Sequence, residues 1–166
     1  MMSQTKQKSG FSLNPLWQFM RNNYGMEEAF KSFGPYRGAS IFPKIIDIHT
    51  VEVTMPLVPQ NTNYVGTHFG GSLYSMCDPF FMFILIENLG EEYLVWDKSA
   101  RIEFRKPGIG TVRALFHISP QEIEEVKEIV MENKKTIRHY QVDIQNQENE
   151  VVATVYKELY IRKLEL

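Results

Sequence analysis

The segment GTHFGGSLYSMCDPFF, residues 66–81, carries a carboxylate into the most apolar part of the chain. Asp78 is followed almost at once by an aromatic and aliphatic run that extends to Ile86. Low local polarity raises the pKa and the basicity of a carboxylate, so Asp78 could activate water or act as a nucleophile. Asp78 and Pro79 also form a natural helix start, in which Asp78 caps a helix kinked at the proline. The sequence leaves both roles open.

A pair of glycines precedes this carboxylate. Gly70 and Gly71, followed by Ser72, let a ligand approach the backbone closely. The first N–H groups of a helix are unpaired and lie at the positive end of its dipole. This turn is therefore predicted to polarise a carbonyl and to stabilise an oxyanion, for which one donor contributes about 2.7–4 kcal/mol. The alternative is that the glycines only permit a tight turn from loop to helix.

The loop before the glycines holds two further polar candidates. Asn63 has a donor end and an acceptor end that could orient water or a carbonyl oxygen, although asparagine is also common in loops. His68 is expected to line the site rather than to act as a base. The four histidines are scattered, and neither an HExxH motif nor a Cys/His cluster occurs, so no metal site is predicted. Dinucleotide and phosphate-loop glycine motifs are also missing, and we expect no cofactor.

Hydrophobic periodicity outlines the elements that must position these residues. A helix is predicted from Pro15, capped by Asn14, bent or broken at Gly25 and stopped at Gly34. Residues 72–89 are apolar nearly all round and predict one buried central helix. A capping box at Ser119 opens a short amphipathic helix. The remaining alternating segments predict strands within 39–57, 96–104, 112–118, 136–145 and 151–162.

These elements predict the α+β class, with a long antiparallel curved sheet wrapped around the central apolar helix and an extra helix at the N-terminus. The 166 residues, 43% hydrophobic and 23% charged, are typical of a single globular domain. A formal net charge of −2 gives no reason to expect nucleic-acid binding. The single cysteine, Cys77, favours a reducing, cytoplasmic setting. We expect neither a secretory signal nor a membrane span, since residues 73–89 are too short and carry two acids.

Residues 63–78, NYVGTHFGGSLYSMCD, resemble the signature of the hotdog acyl-CoA thioesterases. In that family an asparagine precedes a Gly-Thr and a Gly-Gly pair, the pair begins the central helix, and an acidic residue follows about two turns later. The longer stretches VWDKSARIEF and RKPGIGTV are similar to a less characterised bacterial branch. The resemblance implies one hotdog domain over residues 1–166, with a helical extension at 13–34 and a core at 36–163.

The resemblance also implies hydrolysis of an acyl-CoA or related acyl thioester. Asp78 would be the base or nucleophile, Gly70 and Gly71 the oxyanion donors, and Asn63 the residue that orients substrate or water. Many relatives have histidine directly before the glycine pair, where this chain has Phe69. That departure weakens a third alternative, an enoyl dehydratase or hydratase, and keeps open a non-catalytic acyl or acyl-CoA binding protein.

Substrate contacts and assembly follow from the same resemblance. The residues expected to line the substrate site are His68, Phe69, Ser72 and Phe81, and those expected to contact the phosphates of coenzyme A are Arg101, Arg105 and Lys106. The alternative for the basic residues is a solvated strand face paired with Asp97 and Glu103. The acyl group is expected to run along the central helix near Phe80, Phe81 and Phe83. Relatives pair their sheets edge to edge, which implies a homodimer or dimer of dimers whose site takes Gly71 from one subunit and Asp78 from the other.

Overall fold

The computed structural model describes residues 14–164. Three short helices come first: α1 (Pro15–Tyr24), α2 (Met26–Ser32) and α3 (Gly34–Ala39). The Asn14 side chain caps α1 by accepting from the Leu16 N–H, as predicted, and Gly25 separates α1 from α2. The predicted stop at Gly34 is instead the start of α3, because proline is well suited to the first turn of a helix.

One antiparallel sheet of six strands forms the body of the protein. Its strands are β1 (Phe42–Asp47), β2 (Thr50–Met55), β3 (Tyr93–Phe104), β4 (Val112–His117), β5 (Lys135–Gln145) and β6 (Val151–Lys163). Their spatial order is β1-β2-β4-β5-β6-β3, so the long strand β3 forms one edge of the sheet. Helix α6 (Pro120–Asn133) joins β4 to β5 and is capped by Ser119, as predicted.

The central helix is divided into α4 (Gly70–Ser75) and α5 (Phe80–Leu89). The continuous helix predicted for residues 72–89 is therefore wrong. Pro79 provides the physical reason, since proline disfavours helical backbone in the residue before it and has no N–H for the ladder. Asp78 consequently lies in the break between the two helices, and α5 packs its large apolar side chains into the core against the sheet.

Candidate active site

Asp78 is held by a lysine that the sequence reading did not single out. The Nζ of Lys157, on β6, lies 2.9 Å from Asp78 Oδ1 and 3.1 Å from Asp97 Oδ2. The Lys157 side chain is fully buried, so its ammonium obtains its compensating charge from these two carboxylates. Tyr74, one helical turn before Asp78, donates its hydroxyl to the same Oδ1 at 2.6 Å. A buried charge network therefore anchors the break between α4 and α5 to the sheet.

The anchoring leaves one carboxylate oxygen available. Tyr74 and Lys157 both bind Oδ1, and Oδ2 of Asp78 has no hydrogen-bond partner among residues 14–164. Helix α5 begins without a side-chain cap, so the capping role considered for Asp78 is wrong. The expectation of an apolar, dry setting is also wrong, because the Asp78 side chain is 49% exposed and pairs with a cation. Asp78 presents an anchored carboxylate with one oxygen towards solvent.

The neighbouring groups have perturbed acidities. Burial alone would lower the pKa of Lys157, but its bond to Asp78 and the charges of Asp97 and Asp78 outweigh burial and raise that pKa. Burial raises the pKa of Asp97, and the charge of Asp78 adds to this rise against the effect of Lys157. Burial and the hydrogen bond to Asp78 raise the pKa of Tyr74. Lys157 thus stays a cation and Tyr74 a hydrogen-bond donor at neutral pH.

The glycine turn carries backbone N–H groups without acceptors in the described part of the chain. The N–H groups of Ser72 and Leu73 both donate to the Phe69 carbonyl, and no side chain caps α4. Within the described residues, this leaves the N–H groups of Gly70 and Gly71 without an acceptor. A Cβ at Gly71 would meet Cε1 of Phe69, and one at Gly70 would lie 2.8 Å from Cζ of Phe104. Aromatic rings thus lie against both glycines, and a larger residue at either position would require the exposed ring of Phe69 or Phe104 to move.

Asn63 forms its hydrogen bonds within its own loop, residues 63–68. Asn63 accepts from the N–H groups of Val65 and Thr67 and donates to the Thr67 hydroxyl and the His68 carbonyl. Its amide is therefore occupied in shaping the loop, which is the alternative that the sequence left open. His68 is buried, its Nε2–H donates to the Gly110 carbonyl at 2.9 Å, and burial lowers its pKa. His68 thus packs beside Gly108 and is not among the residues that line the cavity at Asp78.

A neighbouring asparagine that the sequence analysis missed does more for this loop. Asn61 is 1% exposed. Its amide donates to the Ala39 and Pro56 carbonyls, each at 2.8 Å, and accepts from the Val58 N–H. The Asn61 carbonyl accepts from the Phe69 N–H at 2.7 Å, directly before the glycine pair. Asn61 therefore fixes the start of α4 relative to α3 and β2.

The predicted substrate contacts Phe81, Ser72 and Phe69 differ in their exposure to solvent. Phe81 is 3% exposed, because its ring packs 4.8 Å from that of Tyr140 and 5.1 Å from that of Phe116. The predicted contact of Phe81 with an acyl group is therefore wrong, since that space is filled by core side chains. Ser72 is also buried, whereas Phe69 is 56% exposed beside the glycines.

The basic residues on and after β3 already have acidic partners. Glu103 pairs with both Arg101 and Arg105, and Lys106 lies 2.6 Å from Glu150. Arg101 also stacks over the ring of Tyr156, 4.1 Å from its centroid. All three cations lie on the surface, as the solvated strand face considered above requires, and Asp97 pairs with Lys157 instead.

A cavity of about 320 Å³ opens beside Asp78. It is lined by Trp17, Phe30, Phe33, Pro35, Tyr36, Tyr74, Ser75, Asp78 and Pro79. Most of these side chains belong to α1–α3 or to the segments that join them. A more open, polar groove of about 480 Å³ lies between β2, β4 and the β5–β6 turn and includes Arg113. None of its lining residues contributes to the cavity at Asp78.

Residues 14–164 contain no group of three or more His, Cys, Asp or Glu side chains placed to hold a metal ion. Over the same residues, no helix combines the length and the apolar character that crossing a membrane requires.

Comparison with known proteins adds a family and a fold. Residues 26–161 match the sequence profile of a family described as a domain of unknown function, DUF4442. The chain belongs to this family. No curated protein matches the sequence of this chain.

Several solved structures share its architecture. A Pseudomonas aeruginosa protein of unknown function, described as a probable thioesterase, has a TM-score of 0.77 and 16% identity over 82% of this chain and 93% of that chain. A Haemophilus influenzae thioesterase has a TM-score of 0.61 and 18% identity over 96% of each chain. The PaaI protein of the Escherichia coli phenylacetic acid degradation operon has a TM-score of 0.58 and 19% identity over 90% and 94%. At these identities the similarity establishes the fold, and this DUF4442 protein has the hotdog fold within the α+β class.

Proposed function

We propose that this protein is a thioesterase that hydrolyses an acyl-CoA, or a related acyl thioester, to the free acid and the thiol. The observation that carries the proposal is the state of Asp78. One of its oxygens is fixed by Lys157 and Tyr74, and the other is free and directed to solvent at the mouth of a cavity. The similarity in fold to proteins described as thioesterases supports the same reading.

Two chemical routes are open to the free Oδ2 of Asp78. As a base, it takes a proton from water while the water oxygen attacks the thioester carbonyl; the C–S bond then breaks and the thiolate leaves with a proton. As a nucleophile, it attacks the carbonyl itself, expels the thiolate and forms an anhydride that water then cleaves. After a single turnover in ¹⁸O-labelled water, label in the Asp78 carboxylate would establish the nucleophilic route, because only attack of water on the Asp78 carbon of the anhydride places it there. Neither route requires a cofactor, and coenzyme A enters only as part of the substrate.

The glycine turn supplies the oxyanion donors in this proposal. Gly71 lies at the start of α4 and Asp78 lies three residues beyond its end, and the helical part from Gly71 to Ser75 alone extends about 6 Å along its axis. One thioester carbonyl cannot contact both groups of the same chain, since each contact requires about 3 Å. We therefore infer a site shared between two subunits, as the family resemblance implied, in a homodimer or a dimer of dimers.

The edge strand β3 provides a way to build that shared site. β3 has 12 residues and forms one edge of the sheet, where its outer side has no strand partner among the described residues. Phe104, near its end, contacts Gly70, and Asp97, near its start, joins Asp78 through Lys157. An antiparallel pairing of two β3 strands brings the Phe104 end of one towards the Asp97 end of the other. The glycine turn of one subunit thereby approaches Asp78 of its partner. Sedimentation showing only a monomer would contradict this arrangement.

Arg101, Arg105 and Lys106 remain the proposed contacts for the phosphates of coenzyme A. Their surface position suits a charged ligand, and phosphate oxygens would replace the carboxylates that pair with them now. We place this activity in the cytoplasm, where acyl-CoA thioesters occur and where the free, buried Cys77 stays reduced.

Two observations favour a second candidate, a non-catalytic acyl or acyl-CoA binding protein. The pairing of Asp78 with Lys157 is also what a purely structural charge network requires, and the Asn63 amide is occupied within its loop. In that case the cavity beside Asp78 would hold an acyl ligand without cleaving it.

The test compares Asp78→Asn with Asp97→Asn on a panel of short, medium, long and aromatic acyl-CoAs. Each substitution removes one negative charge from Lys157, but only Asp78 presents a free oxygen to the substrate. We expect Asp78→Asn to lower kcat at least a thousandfold and Asp97→Asn to retain most activity, with circular dichroism confirming both folds. Hydrolysis by folded Asp78→Asn at the normal rate would refute the thioesterase mechanism. Ligand binding without any turnover would favour the second candidate.

A further inference from the structure

The cavity beside Asp78 is built largely by the N-terminal helices. Trp17 comes from α1 and Phe30 from α2, while Phe33 and Tyr36 come from the turn into α3 and from α3 itself. The ring centroids of Trp17 lie 5.4 Å from those of both Phe30 and Phe33. Phe33 lies 5.4 Å from Tyr36, and Phe30 lies 6.0 Å from Tyr36. These contacts form a continuous aromatic wall that faces Tyr74 and Asp78 on the other side of the cavity.

The floor of the cavity is closed by the core. Phe30 and Tyr36 are 5% and 2% exposed, and both rings pack on Phe80, which is fully buried. A ligand therefore cannot extend past this layer along α5. The rim is more open, since Phe33 is 40% exposed and Asp78 is half-exposed. A molecule that fills the cavity thus enters beside the carboxylate and ends against aromatic rings.

We propose that this aromatic pocket holds the acyl group of the substrate and selects compact, above all aromatic, acyl groups over long straight chains. The inference rests on the thioesterase function proposed above. A cavity of about 150 Å³ suffices to hold benzene, so the volume of about 320 Å³ accommodates one ring with its linker to the thioester. Ring edges and faces on several sides favour an aromatic guest through edge-to-face and offset contacts.

The position of Asp78 fits this assignment. An acyl group in the pocket places its carbonyl at the rim, where the free Oδ2 of Asp78 lies, and directs the thiol carrier to solvent. The route predicted from the sequence, along Phe81, is filled by core rings. The helices α1–α3 are thus a specificity element in addition to being part of the fold.

Hydrolysis of benzoyl-CoA, palmitoyl-CoA and acetyl-CoA by the full-length protein tests the proposal. We expect kcat/KM to be at least tenfold higher for benzoyl-CoA than for palmitoyl-CoA. Phe33→Ala should lower kcat/KM for benzoyl-CoA about tenfold and change that for acetyl-CoA less than twofold, because a methyl group does not reach the ring. Ser75→Leu, which fills the pocket from α4, should have the same effect. Phe19→Ala is the matched control, because Phe19 is 54% exposed on α1 and does not line the cavity.

The outcomes separate this proposal from the one on which it rests. Hydrolysis that prefers palmitoyl-CoA, or equal effects of Phe33→Ala and Phe19→Ala, would overturn the pocket assignment and leave the thioesterase intact. If no thioester is hydrolysed, the pocket assignment is tested by calorimetric binding of phenacyl-CoA, in which a methylene separates the carbonyl from the sulfur. The pocket assignment is supported if phenacyl-CoA binds at least tenfold more tightly than coenzyme A and if Phe33→Ala lowers the affinity for phenacyl-CoA to that for coenzyme A. Equal binding of both molecules by the unmodified protein overturns it.

Discussion

Replacing Lys157 with methionine tests the charge network that anchors Asp78. The substitution keeps much of the buried side-chain volume but leaves the carboxylates of Asp78 and Asp97 without their cation. Removing one partner of a buried ion pair costs about 3–5 kcal/mol. Asp78 and Asp97 retain 49% and 25% side-chain exposure, so water compensates part of the loss. We therefore expect Lys157→Met to lower the free energy of unfolding by about 3 kcal/mol, the lower end of that range.

A second substitution should restore part of this loss. Because Lys157 lies 2.9 and 3.1 Å from the two carboxylates, their bound oxygens are at most about 6 Å apart. At an effective dielectric constant of about 20, two charges at that distance repel by about 3 kcal/mol, and the exposure of Asp78 reduces this to about 1–2 kcal/mol. Adding Asp97→Asn to Lys157→Met removes this repulsion. The double variant should therefore be about 1–2 kcal/mol more stable than Lys157→Met alone.

Urea unfolding followed by circular dichroism at one fixed protein concentration measures all four members of this cycle. The fixed concentration matters because a dimer gains apparent stability from association. A loss below about 1 kcal/mol for Lys157→Met would show that the network contributes little to folding. A double variant less stable than Lys157→Met would refute the repulsion between Asp78 and Asp97.

Three further substitutions address the loop, the buried hydroxyl and the phosphate contacts. Asn61→Ala removes three hydrogen bonds from a buried amide and should lower the free energy of unfolding by about 2–4 kcal/mol in urea melts. The pKa of Tyr36 is raised well above 10.0, first by burial and then by the charge of Asp78, so its contribution to stability is full below about pH 10 and is lost as pH rises above it. Tyr36→Phe should therefore weaken the fall in Tm between pH 9 and 11, and an unchanged slope would contradict this. Replacing Arg105 and Lys106 with alanine should raise KM for acyl-CoA about fivefold while kcat stays constant, and acyl-pantetheine, which lacks these phosphates, should show no change.

The position of Lys157 shows what could be predicted from the sequence and what could not. β6 alternates buried and half-buried residues, and Val155, Lys157 and Leu159 share its buried face. Period-two alternation alone therefore places a lysine among apolar core positions, and this signal could have identified it. Its partners could not be found in the same way. Asp97 lies at an irregularity in the pairing of β3 with β6, and Asp78 lies in a helix break, so both depend on tertiary geometry.

Local patterns predicted the helices and their caps better than the break within the central helix. Ser119 accepts from the Glu122 N–H to cap α6, as the capping box implied, because that bond needs only neighbouring residues. The apolar run of residues 72–89 correctly indicated burial but not the division into α4 and α5. Asn63 and Asn61 have the same type and lie two positions apart, yet one shapes an exposed loop and the other is buried among three backbone segments. Only the packing of α3 and β2 around Asn61 distinguishes them.

The place of β6 in the sheet has a consequence for the order of folding. Among the described strands β6 comes last in sequence, yet it lies between β5 and β3 and is the strand partner of β3. During synthesis β3 emerges before β6 and cannot pair with it until β6 has been made. Such non-local pairing is slow, because the intervening loop must be closed at an entropic cost before the strand contacts form. Lys157 arrives with β6, so Asp78 and Asp97 gain their common cation only when the sheet closes. The charge network at Asp78 therefore requires β6 to have joined the sheet, and a chain in which β6 is unpaired carries the carboxylate without its anchor.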